Sequence, residues 1–247
     1  MTHTFAAAGV HKVKVYNKSG VDMIFNFAIN GATPTDNKKI QHIRNVTVRN
    51  NTTMLMTGNK TLTNLVFKNV KTIAASANFA GSASVKSTLT IEGTKPITIG
   101  ETAFGFFYGL REVVFPECVT NISFKAFTGC DKLSSITILN KNMAINTNLI
   151  TTATNLGGTF RGCPIERVYF PGTIAEWNGN SNFTYVFGTV AEDATPDADG
   201  GYTLSLSQYA QAIRDILDAS SFSGGTRNDS FYDRSSAGLM KLYLIQQ

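Results

Sequence analysis

Six apolar positions recur at one fixed interval in the middle of this chain. Segment 99–116 reads IGETAFGFFYGLREVVFP and segment 122–139 reads ISFKAFTGCDKLSSITIL. A shift of 23 residues carries Ile99 onto Ile122, Ala103 onto Ala126, Phe104 onto Phe127, Leu110 onto Leu133, Val113 onto Ile136 and Phe115 onto Ile138. Such a period marks a solenoid, in which each repeat is one turn of chain stacked on the next. A single unit buries too few apolar side chains to offset the ordering of its own backbone. It holds only when neighbours cover both of its open faces. Phe104 and Phe127 are therefore expected as equivalent rungs, one above the other.

The pattern runs outward from this pair. In TFRGCPIERVYFP, Phe160, Cys163, Ile165, Val168 and Phe170 take the places of Phe127, Cys130, Leu133, Ile136 and Ile138, one residue tighter after the cysteine. A polar insert over 151–158, TTATNLGG, lengthens the unit before it. Upstream, Leu62, Leu65 and Phe67 copy the L-x-x-I-x-I strand phrase, as do Ile43, Val46 and Val48, with a looser copy at Phe79, Val85, Leu89 and Ile91.

These residues resemble the BspA-like branch of the leucine-rich repeats, whose unit reads roughly I-G-x-x-A-F-x-x-C-x-x-L-x-x-I-x-I-P-x-x-V-T. ITIGETAF and FPECVTNISFKAFTGCDKLSSITI follow that pattern almost position for position, and VYFPGTIAEWNG around Trp177 is similar to the way such arrays finish. The resemblance spans about residues 40–178. It implies a right-handed solenoid with one parallel strand per unit on one face, and binding in place of catalysis. Two places depart from it: the first cysteine position falls on Tyr108 or a neighbour, and the unit at Ile145 is irregular.

The expected fold is mainly β, a leucine-rich-repeat-type solenoid with a parallel β-sheet face over 37–179. An N-terminal β-strand module precedes it over 1–36, where Val13, Val15, Ile24 and Phe25 alternate with polar residues between turns at Lys18-Ser19-Gly20 and Asn30-Gly31, a hairpin pattern. A C-terminal α+β cap follows over 180–247. It opens on the loop AEDATPDADGG. Tyr209, Ile213, Ile216 and Leu217 then mark an amphipathic helix over 206–219 with Ser207 as its N-cap. AGLMKLYLI reads equally as strand or helix. The apolar helix face is expected to cover the last unit, since solenoid ends must be capped.

Charged residues make up only 16% of the 247, and the net charge of +5 comes from 22 basic and 17 acidic side chains spread thinly. No run of four Lys or Arg occurs, and no basic stripe interleaved with aromatics, so nucleic acid is not an expected partner. Asn and Thr fill the gap, a polarity without charge that suits solenoid ladders and sugar-facing surfaces and equally suits a compositionally biased lineage. Residues 1–20 have no basic region ahead of an apolar stretch and do not read as a signal peptide; no stretch reaches the length of a membrane span. Of the three cysteines, Cys130 and Cys163 share one repeat position and read as buried thiols, with a bridge between them as the alternative.

No catalytic site, metal site or cofactor is expected. His3, His11 and His42 lie far from any cysteine in sequence, and no H-x-x-x-H, C-x-x-C or phosphate-cradling glycine loop occurs. Asp193, Asp197 and Asp199 are spaced as Ca²⁺ ligands could be, but lack the terminal Glu of an EF-hand and read as a solvated loop.

Binding is expected on the sheet. In L-x-x-I-x-I the apolar side chains point inward and the intervening ones outward. Stacked units then give two outward columns: Asn45, Asn64, Glu112, Ser135 and Arg167; and Thr47, Val66, Val114, Thr137 and Tyr169. The resemblance implies display at a surface, yet no export signal is read. Chain ends fray unless held, and ends held in place would suit subunits of a large assembly. On those grounds the expectation is a bacteriophage virion protein, a decoration or tail-fibre component packed against other virion proteins or copies of itself. It would attach without catalysis to a bacterial surface glycan or protein. The alternative is a secreted or cell-surface adhesin of a gut bacterium that binds host protein or glycan. A glycan hydrolase is the third class considered.

Overall fold

The computed structural model describes residues 23–26, 42–45, 51–55, 63–73, 86–146, 158–219 and 229–246. Among them, successive strands alternate between two faces. Strands β1 (Met23–Asn26), β3 (Asn51–Leu55), β5 (Thr72–Ile73), β7 (Ile97–Ile99), β9 (Val119–Ile122) and β11 (Ala144–Ile145) form one six-stranded sheet in that order. Strands β2 (His42–Asn45), β4 (Asn64–Lys68) and β6 (Thr88–Glu92) form a second. A third has the order β13-β14-β12-β10-β8, from Tyr202–Thr203, Lys241–Leu244, Arg167–Phe170, Ser135–Ile138 and Glu112–Phe115. A bridge between Ser87 and Leu110 ties the second sheet to the third. Every pairing is parallel except that of β13 with β14. Parallel neighbours need a crossover between them, and the chain makes one in each repeat through the opposite sheet.

Alternation within each strand builds the core. In β10, Ile136 and Ile138 are buried while Ser135 and Thr137 face outward, and β8, β12 and β6 repeat the pattern. The aromatic rungs stack as the spacing predicts. Phe104 lies on Phe127 at 5.2 Å with planes 26° apart, and Phe127 on Phe160 at 5.7 Å and 15°. All three are fully buried. The position 23 residues before Cys130 is Phe107, also fully buried, so the neighbour of Tyr108 fills the first cysteine place. Cys130 and Cys163 are free and buried, each Sγ donating 3.1 Å to the carbonyl of a preceding rung, Phe104 and Phe127 respectively. The bridge between them is therefore not formed.

Backbone bonds run up the stack beside the rungs. Phe104 N–H donates to the Ala126 carbonyl (2.8 Å) and Phe127 N–H to that of Thr159 (3.0 Å). One turn on, Phe106 N–H donates to Thr128 and Gly129 N–H to Arg161, both at 2.7 Å. Phe106, Gly129 and Gly162 all have positive φ, at 59°, 69° and 76°. The shared place therefore requires a left-handed turn, which glycine adopts without strain and phenylalanine does not.

The C-terminal unit supplies the next layer from different material. Helix α1 (Ile174–Asn178) starts on a reciprocal cap between Thr173 and Glu176 and buries Trp177, whose Nε1–H donates to the Gly188 carbonyl at 3.0 Å. Helices α2 (Ser181–Phe187), α3 (Gln208–Ala219) and α4 (Ser230–Ser236) follow. Ser207 caps α3 as expected, its Oγ accepting from Ala210 N–H at 3.0 Å, and Tyr209, Ile213 and Leu217 are buried. Phe231 of α4 stacks on Phe160 at 6.5 Å and 13°, continuing the aromatic column. Phe160 N–H donates to the Tyr209 hydroxyl at 3.3 Å, and Gly162 N–H to Asp229 Oδ1 at 3.3 Å. Two side chains thus receive the donors that a further repeat would have received.

The structure differs from the sequence reading at both flanks. Met23–Asn26, read as part of a hairpin, pairs in parallel with β3 inside the six-stranded sheet. A parallel partner brings its own crossover, so this strand extends the repeat sheet. The undecided segment AGLMKLYLI contributes β14, a strand parallel to β12. Residues 74–85, with Phe79 and Val85, and insert residues 151–157 lie outside the described residues.

Candidate functional site

The outward face of the five-stranded sheet carries most of the expected site residues. Register places Glu112, Ser135, Arg167 and Lys241 side by side, and in the next row Val114, Thr137, Tyr169 and Tyr243. Glu112, Val114 and Arg167 are exposed, and Ser135, Thr137 and Tyr169 half-buried. Asn64 and Val66 hold the equivalent outward positions of β4, next to Thr88 and Thr90 of β6. Asn64 Nδ2 donates to Thr88 Oγ1 at 3.2 Å.

Asn45 does not join these rows. β2 pairs with β4 so that His42 stands level with Asn64, Ile43 with Leu65, Arg44 with Val66 and Asn45 with Phe67. The expected match of Val46 to Leu65 is therefore three residues out of step. His42 and Arg44 hold the strand positions assigned to Asn45 and Thr47, and Thr47 lies outside the described residues. The sequence reading also missed Lys241 and Tyr243. Their signal is present, since Leu239, Leu242 and Leu244 repeat the L-x-x-I-x-I spacing at the end of the chain.

The acidic loop closes the C-terminal end of the face. Lys241 Nζ lies 2.7 Å from Asp197 Oδ2 and 3.5 Å from Asp199 Oδ2, and the Tyr243 hydroxyl donates to Asp199 Oδ2 at 2.9 Å. That hydroxyl, with the Gly201 N–H, holds the Asp199 carboxyl below its ordinary range. Asp197 holds the Lys241 ammonium above its own. Partial burial, then Asp199, raises the Tyr243 phenol. Two of the three carboxylates considered for Ca²⁺ are thus engaged by side chains of β14. Among the described residues, no group of three or more His, Cys, Asp or Glu is placed to hold a metal. Farther along the face, Lys86 pairs with Glu112 at 2.9 Å and Lys68 with Glu92 at 3.2 Å. These pairs are exposed, so they shape the surface more than they stabilise it.

A shallow depression of about 320 Å³ lies between α2 and the entry to α3, lined by Ser181, Thr184, Tyr185, Thr189 and Ser205 among others. Its hydroxyls are not arranged about an acid or a base. No helix among the described residues is long and apolar enough to cross a membrane.

Parallel strands in step and buried aromatic rungs define a β-rich repeat protein. The match to the family model for the BspA type leucine-rich repeat region, in six copies over residues 58–186, agrees. The chain belongs to that family, whose repeats point to protein–protein or surface binding. No curated protein and no solved structure matches it.

Proposed function

We propose that the chain is a non-enzymatic recognition protein. Its repeats coil as a solenoid, and the outward face of the solenoid's strands engages a macromolecule at a surface. The observation that supports this is the register itself. Strands in step repeat each outward position about every 4.8 Å, so the two rows from Glu112 to Lys241 and from Val114 to Tyr243 form one continuous surface. Such faces are what stacked-repeat proteins offer to partners. Nothing among the described residues or the comparisons indicates a virion. The setting proposed is display on a surface, and imaging intact phage particles and cells with an antibody to the chain decides between particle and cell.

The binding reading is tested with the labelled full chain on a panel of intact bacterial cells and immobilised host matrix proteins. A double variant, Val114→Glu with Thr137→Glu, alters the face; Asn121→Lys, on the exposed side of β9, serves as control. Loss of binding in the double variant alone is the expected result. Equal binding by the double variant and the unaltered chain, or equal loss in the control, overturns the reading.

A further inference from the structure

Resting on the sheet face as the binding surface, we propose that this face takes an uncharged sugar ring, seated edge-on between Tyr169 and Val114 with Thr137 beneath it. Tyr169 and Tyr243 stack at 4.9 Å with planes 28° apart. That is close to the spacing of adjacent strands, so the two rings stand side by side along the row. Tyr243 is a fixed backstop: its phenol is tied to Asp199, and Gly201 lies against its ring, where a Cβ would come within 2.9 Å of Cζ. The second face of the Tyr169 ring therefore turns toward the next strand, where register places the small Thr137. Beyond it stands Val114, 45% exposed. Val114 and Tyr169 are two strands apart, about 9–10 Å, and the short Thr137 between them leaves a slot one strand wide.

A pyranose ring matches the slot in chemistry. One of its faces is C–H and packs on an aromatic ring, while its rim is a set of hydroxyls, each both donor and acceptor. The neighbouring row supplies partners for that rim: the Ser135 hydroxyl at the centre, Glu112 on one side and Arg167 on the other. Glu112 accepts and Arg167 only donates. Lys86 pairs with Glu112 at 2.9 Å and Lys241 with both Asp197 and Asp199, so together with Arg167 the charges along the row balance and leave little net charge for an ion to answer. An uncharged ligand with mixed donors and acceptors complements that arrangement better than a phosphate or a polyanion. An extended peptide recognised by strand addition needs an open sheet edge; the backbone groups of β10 are already committed on both sides, to β8 and β12.

The test uses the full chain with the methyl glycosides of glucose, mannose, galactose and N-acetylglucosamine, read by saturation-transfer NMR, with methyl glucuronide as the charged control. At least one neutral glycoside should receive saturation at its ring C–H protons. Binding should fall about two- to twelvefold in Tyr169→Ala, the range that loss of an aromatic contact gives, and disappear in Thr137→Tyr, which fills the slot. Thr137→Tyr suits a half-buried, outward-facing strand position, and Arg167→Ala changes an exposed side chain, so these two carry the test if Tyr169→Ala fails to fold. Transfer to glucuronide alone, transfer to none, or transfer unchanged in the folded slot variants overturns the proposal. If cells treated with periodate still bind the chain through its face, the surface reading stands, the partner is protein and the sugar slot falls. If the slot variants lose the glycoside while the face variants still bind cells, the slot stands and the broader reading falls.

Discussion

Gly162 N–H donates to the Asp229 carboxylate at 3.3 Å, in the place where Gly129 one repeat earlier donates to a backbone carbonyl. The same oxygen receives the N–H groups of Phe231 and Tyr232 at 3.0 and 3.4 Å, and Arg161 Nε lies 3.3 Å from its partner oxygen. One buried side chain thus ends the backbone ladder of the repeats and starts α4. The layer that follows the last repeat is continuous with it in hydrogen bonding as well as in ring stacking.

Asp229→Ala removes the acceptor for all of these donors at once, and a loss of about 2–4 kcal/mol is expected from chemical denaturation. Asp229→Asn keeps an acceptor but not the charge. Burial raises the Asp229 carboxyl, more than its N–H donors and Arg161 lower it. A carboxyl raised on folding binds its proton more tightly in the folded chain. Its contribution to stability is present below the ordinary aspartate range and lost as pH rises through the folded value. Measured from pH 3 upward, the unaltered chain should therefore lose stability relative to Asp229→Asn across that window. A difference that stays flat or moves the other way contradicts this account.

The Phe106 ring and Gly129 form a coupled pair. A Cβ on Gly129 would come 2.4 Å from Phe106 Cδ1, and Gly129 also sits at a φ of 69°. Gly129→Ala is expected to cost about 2–3 kcal/mol, of which roughly 1 is backbone strain. With Phe106→Ala in the background only the strain should remain. A thermal-denaturation double-mutant cycle that shows strict additivity would refute the clash.

Cysteine labelling reports the packing directly. Burial raises the Cys163 thiol well above its usual value and raises the half-buried Cys118 by less. A folded chain exposed to iodoacetamide at pH 8 should be modified at Cys118 first, with Cys130 and Cys163 reacting only on addition of denaturant; peptide mass spectrometry locates the label. Early modification of Cys163 would place it outside the stack.

Two adjacent residues of β14 should separate stability from binding. Leu242 is fully buried against the array, so Leu242→Ala is expected to lower stability by about 2–4 kcal/mol. Tyr243→Ala should cost less than half of that and still weaken glycoside binding, by removing the support behind Tyr169. Denaturation midpoints and saturation transfer measured on the same samples distinguish the two effects.

The repeat core was legible because the rungs Phe104, Phe127 and Phe160 carry the same residue and cannot be solvated cheaply. The strands that follow them share one apolar spacing, and the outward residues from Glu112 to Tyr169 followed from it. The first column failed at β2, where Ile43, Val46 and Val48 fit the apolar phrase but the pairing sets Ile43 level with Leu65 and polar Asn45 level with Phe67. Local pattern favours the other register; pairing with Leu65 and Val66 decides it. Lys241 and Tyr243 were overlooked for a different reason. Their strand returns to the array after the four helices, and local spacing says nothing about which distant edge a strand will join. Asp229 and Tyr209 finish the ladder through tertiary contacts that have no sequence period at all.

Tyr202 and Thr203 run against the direction of the four other strands in their sheet. At that end the sheet has therefore changed polarity, and its outermost edge no longer repeats the bonding pattern of the strands inside. A second molecule cannot continue the parallel series there by simple translation. A copy added there by translation would bring β8 against β13 as an antiparallel pair, a different bonding pattern from that of the strands inside.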